Sequence, residues 1–145
     1  MMEVKRISIL DPLYEFERKL RNTVLLRPIG LPDNGWEMKD AISWHFVALK
    51  SKELVGCVVL APLDTENNRA QLMQMAIATE YQRKGIGKCL VEELLIFAKQ
   101  EGLKEVICHS RRDATEFYQK LNFEIYGDEF EEAGILHINM NIRIN

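Results

Sequence analysis

"YQRKGIGKCLVEELLIFAKQEG", residues 81–102, joins two patterns at a single point. From Ile86 onward apolar residues recur at helical spacing. Ile86, Leu90, Leu94 and Ala98 fall every fourth place, and Val91, Leu95 and Phe97 widen the stripe. Gly102 follows as a helix stop. Before the stripe stand Arg83 and Lys84, then two glycines one residue apart, Gly85 and Gly87. A helix N-terminus presents backbone N–H groups with no intrahelical partner and carries about half a unit of positive charge. Glycine there lets the chain approach an anion closely. The stretch therefore reads either as a tight strand-to-helix turn or as a phosphate cradle.

The flanking sequence supplies the frame. "VKRISI", 4–9, is a strand candidate. Asp11-Pro12 opens a helix with Leu13, Phe16, Leu20 and Val24 at helical spacing. "RPIGLPDNG", 27–35, ends it in a loop able to carry binding residues. "WHFVALK", 44–50, and "ELVGCVVLAPL", 53–63, form a hairpin about Ser51-Lys52. "NNRAQLMQMAIAT", 67–79, reads as a central strand, with Met73, Met75 and Ile77 on one face and Leu72 and Ala76 on the other. After the long helix come a strand at 104–110 and a short helix at 113–121, with Asp113 as cap and Glu116 completing a capping box. "NFEIYG" and "GILHINMNI" give two closing strands. The order β-α-β-β-β-α-β-α-β-β predicts an α+β fold, a mixed sheet with helices on its faces.

Composition sets limits. A chain of 145 residues suffices for a single domain, 1–145, with its own core. A net charge of -3 argues against a general nucleic-acid binder, which needs a basic surplus to neutralise phosphates. Cys57, Cys89 and Cys108 are odd in number and lack a CxxC pair. They read as small core residues, so neither a metal site nor a disulfide framework is expected. No segment approaches the roughly 20 apolar residues of a membrane span, and a reducing, cytoplasmic setting is expected.

Two nucleotide motifs fail on spacing. A P-loop needs glycine where Gln82 stands and Ser or Thr where Cys89 stands. A dinucleotide fingerprint needs a third glycine where Leu90 stands. A third pattern fits. Gln82-Arg83-Lys84-Gly85-Ile86-Gly87 resembles the Q/R-x-x-G-x-G/A signature of the GNAT superfamily of acetyl-coenzyme A dependent N-acetyltransferases. "MAIATEYQRKGIGKCLVEELLIFA", 75–98, looks like that family's fourth strand, pyrophosphate loop and third helix. "ATEFYQKLNF", 114–123, is similar to its A-x-x-F-Y-x-K-L-G-F segment. A narrower likeness, to the small bacterial subgroup typified by ElaA and YjcF, rests on "LRNTVLLRPIGLP", on Glu37 and Asp40 before "HFVAL", and on "HSRRDATEFY". Ser110 stands where that subgroup often has alanine.

The resemblance implies a mostly antiparallel sheet and direct transfer from acetyl-CoA to a primary amine of a small molecule or peptide, with CoA as product and a homodimer as a common assembly. It implies that backbone groups of Met75, Ala76 and Ile77 hold the pantetheine arm, as an added strand would. It implies that the N–H groups of Gln82, Arg83, Lys84, Gly85, Ile86, Gly87 and Lys88 take the pyrophosphate, and that Tyr118 protonates the departing thiolate. Two departures stand out. Asn122 replaces the usual glycine, in a turn that asparagine tolerates. Gln71 stands near the place where some relatives carry a glutamate base. His45, His109, Glu37 and Asp40 remain as alternative bases, and Arg27 and Arg111 as contacts for an acidic part of the acceptor, or as partners of local carboxylates. A non-catalytic acyl-CoA binding or sensing module is the alternative reading.

Overall fold

A computed structural model describes residues 2–66 and 68–145. Its elements in chain order are β1 (Met2–Ile7), α1 (Leu13–Arg21), β2 (Trp44–Lys50), β3 (Glu53–Pro62), β4 (Arg69–Ile77), α2 (Ile86–Gln100), β5 (Glu105–Arg111), α3 (Thr115–Gln119), β6 (Glu124–Ile125), β7 (Phe130–Glu132) and β8 (Ile135–Arg143). Asn67, the first residue of the strand expected at 67–79, lies outside the described residues. The strands form one sheet in the order β1-β2-β3-β4-β5-β8-β6, and β7 also pairs with β8. Among the described residues only β4 and β5 run parallel, because α2 crosses between them; the other pairs are antiparallel. The α+β class with helices on both faces follows. β7 is additional to the expected order: Ala133 and Gly134, both at positive φ, make a two-residue turn that folds Phe130–Glu132 back onto β8.

α2 builds the larger core. Its buried stripe, Ile86, Leu90, Val91, Leu94, Phe97 and Ala98, lies on Phe46, Val58, Leu60, Leu72 and Val106 of the sheet. Gly56 of β3 makes this approach possible. A Cβ there would stand 2.9 Å from Ile77 Cδ1, 3.1 Å from Leu90 Cδ1 and 3.2 Å from Ile86 Cγ2. No helix among the described residues is long and apolar enough to cross a membrane.

Three local expectations are corrected. Phe16 is 52% exposed and does not join the inward face of α1. Met73, Met75 and Ile77 do not share a face. Leu72, Met75 and Ile77 belong to the α2 side, whereas Ala76 belongs to the α1 side, because a bulge at Gln74 (φ +55) switches the alternation. Asp113 caps nothing: a 3-10 turn over Arg112–Ala114 precedes α3, and Glu116 pairs with Lys120 instead.

The inward face of α1 is charged. Glu17 and Arg21 are buried, and Arg21 Nη1 donates to Glu17 Oε2 and to Asp40 Oδ2, both at 2.9 Å. Arg21 Nη2 donates to the carbonyl of Trp36 at 2.7 Å, and the Tyr14 hydroxyl donates to Asp40. His45 has no solvent exposure. Its Nδ1 faces Glu17 Oε2 at 2.9 Å and its Nε2 faces the Asp40 carbonyl at 2.8 Å. Both acceptors require an N–H, so the ring is held as imidazolium. Burial opposes that charge, but the hydrogen bond and charge of Glu17, with the Asp40 carbonyl and carboxylate, outweigh it and raise the pKa. Two anions and two cations then cancel, as a buried cluster must.

The consequence for stability has a definite sign. A histidine pKa raised by folding stabilises fully below the unfolded value, near 6.5, and that contribution is lost as pH rises through the folded value. Urea midpoints should therefore fall as pH is raised from about 6.5 toward the alkaline range. In His45→Gln that part of the slope should disappear; equal slopes in the two proteins would exclude the charged ring.

Candidate active site

β4 and β5 pair only from Arg69↔Glu105 to Leu72↔Cys108. Beyond that point β4 stays with β3 as far as Ile77↔Gly56, while β5 stays with β8 as far as Arg111↔His137. The two strands part, and a splay opens between them. Its cause is the bulge. Met73 to Ala76 of β4 lies against Val59 to Cys57 of β3, one residue more than β3 supplies, and Gln74 absorbs the surplus.

The splay is lined by backbone. Ala78 N–H is donated to Val55 O of β3 at 2.8 Å. Strand alternation then turns the amides of Ile77 and Met75 away from β3 and into the splay. Gln82 Nε2 donates to the Ile77 carbonyl at 3.0 Å. Gln74 Oε1 is buried with no partner among the described residues. An extended ligand bearing amides would pair with such an edge as a strand does.

The mouth of the splay leads to the N-terminus of α2. Arg83 (φ +62) and Gly85 (φ +83) are both left-handed, with Lys84 between them. Alternation of this kind turns successive N–H groups toward one point and makes an anion-binding concavity. No side chain caps α2, and its first turn holds no acid. Arg83, Lys84 and Lys88 are exposed around it. Lys50 and Lys84 flank the Tyr81 ring, 5.5 and 5.7 Å from its centroid. The two glycines differ in role. Gly85 is required by its left-handed backbone, with open space at its missing Cβ. A Cβ on Gly87 would sit 3.4 Å from Phe117 Cζ and 3.8 Å from Met75 Sδ, so Gly87 closes the helix onto α3 and β4.

Tyr118 lies at the parting point, on the α2 face. It is 7% exposed and edge-on to Phe117 and Phe123, with ring centroids 5.0 and 5.5 Å away. Burial first, then the neighbouring Cys108 thiol, pushes its pKa well above the ordinary phenol value. Burial likewise pushes Cys108 up to about 12. Tyr118 therefore keeps its proton at neutral pH.

The remaining candidates divide. Val106 and Cys108 face α2, so Ile107, His109 and Arg111 face the α1 side, where Gln71 also lies, paired with Ile107. His109 is the first β5 residue past the last β4 pair. The structure takes His45 out of the acceptor set, because both its nitrogens are committed in the buried cluster. Glu37 accepts from Arg18 Nε at 2.8 Å, and Asp40 belongs to the same cluster as His45. Arg27 makes a two-point pair with Asp33 at 2.9 and 2.7 Å on the surface. Glu132 was not foreseen. It meets His109, Oε1 to Nδ1 at 3.2 Å, and the signal for it was the Ala133-Gly134 turn that brings β7 beside β8.

Comparison with known proteins agrees with this geometry. The acetyltransferase (GNAT) domain family matches residues 36–144. The uncharacterized protein YyaT of Bacillus subtilis (strain 168) is 37% identical over 76 residues, 52% of this chain; the match spans about half, 51%, of that relative's length. The crystal structure of Escherichia coli ElaA superposes with a TM-score of 0.84 at 19% identity, covering 97% of this chain and 99% of that one. An aminoglycoside 6'-N-acetyltransferase complexed with coenzyme A superposes with a TM-score of 0.82 at 17% identity, covering 99% and 97%. At these identities the two superpositions speak to the fold.

Proposed function

The chain belongs to the GNAT acetyltransferase family, and from that footing we propose that it moves an acetyl group from acetyl-CoA directly to a primary amine of a small molecule or peptide. The observation that carries the reading is the line from the open amides of Met75 and Ile77 to the left-handed pair Arg83 and Gly85 at the head of α2. It suits a ligand with an amide-bearing arm at one end and phosphates at the other. The N–H groups from Gln82 to Lys88 would hold the pyrophosphate, with Arg83, Lys84 and Lys88 adding salt-sensitive attraction. The edge of β4 from Met75 to Ile77, Ala76 included, would align the arm.

In this reading the chain contributes mainly position. Holding amine and thioester together is worth effective molarities of about 10⁵–10⁸ M. A backbone N–H of β4 in the splay polarises the carbonyl oxygen, and Tyr118 gives its proton to the leaving sulfur. Tyr118 suits that part because it is neutral, buried and beside the point where the strands separate.

Thermal melting tests the cofactor. Acetyl-CoA at about 100 times its dissociation constant should add roughly 2.7 kcal/mol, a rise of several degrees for a chain of this length. Gly85→Val should abolish the rise, because a β-branched residue cannot hold φ +83 and keep the cradle. No rise in the unaltered protein at millimolar acetyl-CoA would remove the transferase reading. Tyr118→Phe should keep the rise and lower kcat by about 10²–10⁴ in a thiol-release assay. Unchanged kcat would take the acid role from Tyr118, and a retained rise with no transfer to any amine would point to a binding or sensing module.

A further inference from the structure

His109 and Tyr118 stand on opposite faces of the sheet at the point where β4 and β5 part. Tyr118 lies beside Cys108, the last β5 residue paired with β4, on the α2 face. His109 is the next residue and, by alternation, faces the other way. We propose that His109, oriented by Glu132, is the base that takes the proton from the acceptor ammonium; this rests on the acetyl-transfer reading above.

The argument is one of hydrogen-bonding capacity. Glu132 Oε1 lies 3.2 Å from His109 Nδ1, and a carboxylate there demands an N–H. The neutral ring is thereby held as the Nδ1–H tautomer, which leaves the lone pair on Nε2. Nε2 has no hydrogen-bond partner among the described residues, and the side chain is 30% exposed. Phe130 packs edge-on at 5.1 Å between ring centroids and restrains the imidazole. The other histidines lack this freedom. His45 has both nitrogens committed in a buried cluster. His137 is 7% exposed, donates Nδ1–H to the Ile135 carbonyl at 2.8 Å, and turns Nε2 toward Glu132 Oε2 at 3.8 Å. The charged or titratable neighbours on this face are Glu132 of β7, Arg111 of β5 itself, His137 and Arg143 of β8, and, across β8, Glu124 of β6 and Tyr126 just after it. β4 offers the neutral Gln71 and Met73, and Glu105 farther down β5 is held by Arg69 and Asn141. A neutral imidazole backed by a carboxylate carries net negative charge, which suits a cationic amine.

The protons balance. The alkylammonium gives one proton to His109 Nε2. The freed nitrogen pair forms the C–N bond at the thioester carbonyl carbon. The C–S bond breaks with its electrons remaining on sulfur, which takes the Tyr118 proton. The second nitrogen proton, lost as the amide forms, restores Tyr118 through solvent. His109 then releases the first, so the products are amide, thiol and one proton.

Two measurements test this. Long-range ¹H–¹⁵N spectra of the imidazoles in the free protein at alkaline pH should show His109 as the Nδ1–H tautomer, and Glu132→Gln should shift it toward Nε2–H. An Nε2–H ring in the unaltered protein would overturn the proposal whatever the acceptor. Transfer is then followed with a panel of spermidine, tyramine and a lysine peptide. His109→Gln should keep the acetyl-CoA melting shift, lower kcat by about 10²–10⁴ and lose the acid limb of the kcat–pH profile. Glu132→Gln should move that limb while leaving KM for acetyl-CoA unchanged. An active parent protein with His109→Gln within threefold of it would overturn the base alone. A parent protein that shows the shift but acetylates none of the panel would overturn the transferase reading, and the base with it.

Discussion

A strand that carries one residue more than its neighbour cannot remain flat. In β4 the surplus against β3 is taken up at Gln74, whose left-handed backbone bends the strand away from β5. Two results follow from that one residue. Amides of β4 that a parallel partner would have occupied are left open, and an unpaired backbone edge inside a fold needs a partner from ligand or water. The alternation of side chains also reverses, so Leu72 and Met75 share the α2 face although three positions apart. Tyr118 and His109 owe their arrangement to the same place. They sit at the end of the β4–β5 ladder because the ladder ends there.

The other half of the molecule is held by different means. α1 puts Glu17 and Arg21 inward where an amphipathic helix would place leucines, and closes the charge with Asp40 and His45. Such a cluster is poor value as raw stability, since desolvation consumes most of the Coulomb gain, but removing one member leaves a buried charge unpaired and costs about 3–5 kcal/mol. What it adds is direction. Arg21 reaches the Trp36 carbonyl and the Asp40 carboxylate, and Glu17 reaches His45, a set that only one placement of the segment from Trp36 to His45 can supply.

Much of this was visible in the chain. The stripe from Ile86 to Ala98 permitted only one face for α2, and Ser51-Lys52 between two β-branched runs permitted only a hairpin. The glycine pair marked the turn that opens α2, although only Gly85 is there for its backbone angle. What escaped did so for identifiable reasons. A bulge leaves no mark in a period-two pattern except the break it causes, and Met73-Gln74-Met75 looks regular until β3 is laid beside it. Phe16 drew the helix stripe outward because periodicity cannot see that Arg21 has partners 15 and 19 residues away and Glu17 one 28 residues away. Gly56 reads as an ordinary strand glycine until three side chains of the core converge on it. The pairing of Glu132 with His109 joins residues that only the β5–β8–β7 order brings together.

Arg21 holds the segment before β2 by the carbonyl of Trp36, and His45 holds it by the carbonyl of Asp40. Every residue has a carbonyl. The side chain at position 36 is therefore free to change without loosening the strap, and so are those of Pro32 and Met38, whose side chains enter no hydrogen bond with α1. Such a loop can be rewritten while its ends stay registered. Substitution between Leu31 and Lys39 has three side-chain ties to keep or replace: Asp33 to Arg27, Asn34 to Asn22 and Glu37 to Arg18. Divergence in this loop then requires no change in β4 or in the turn that opens α2.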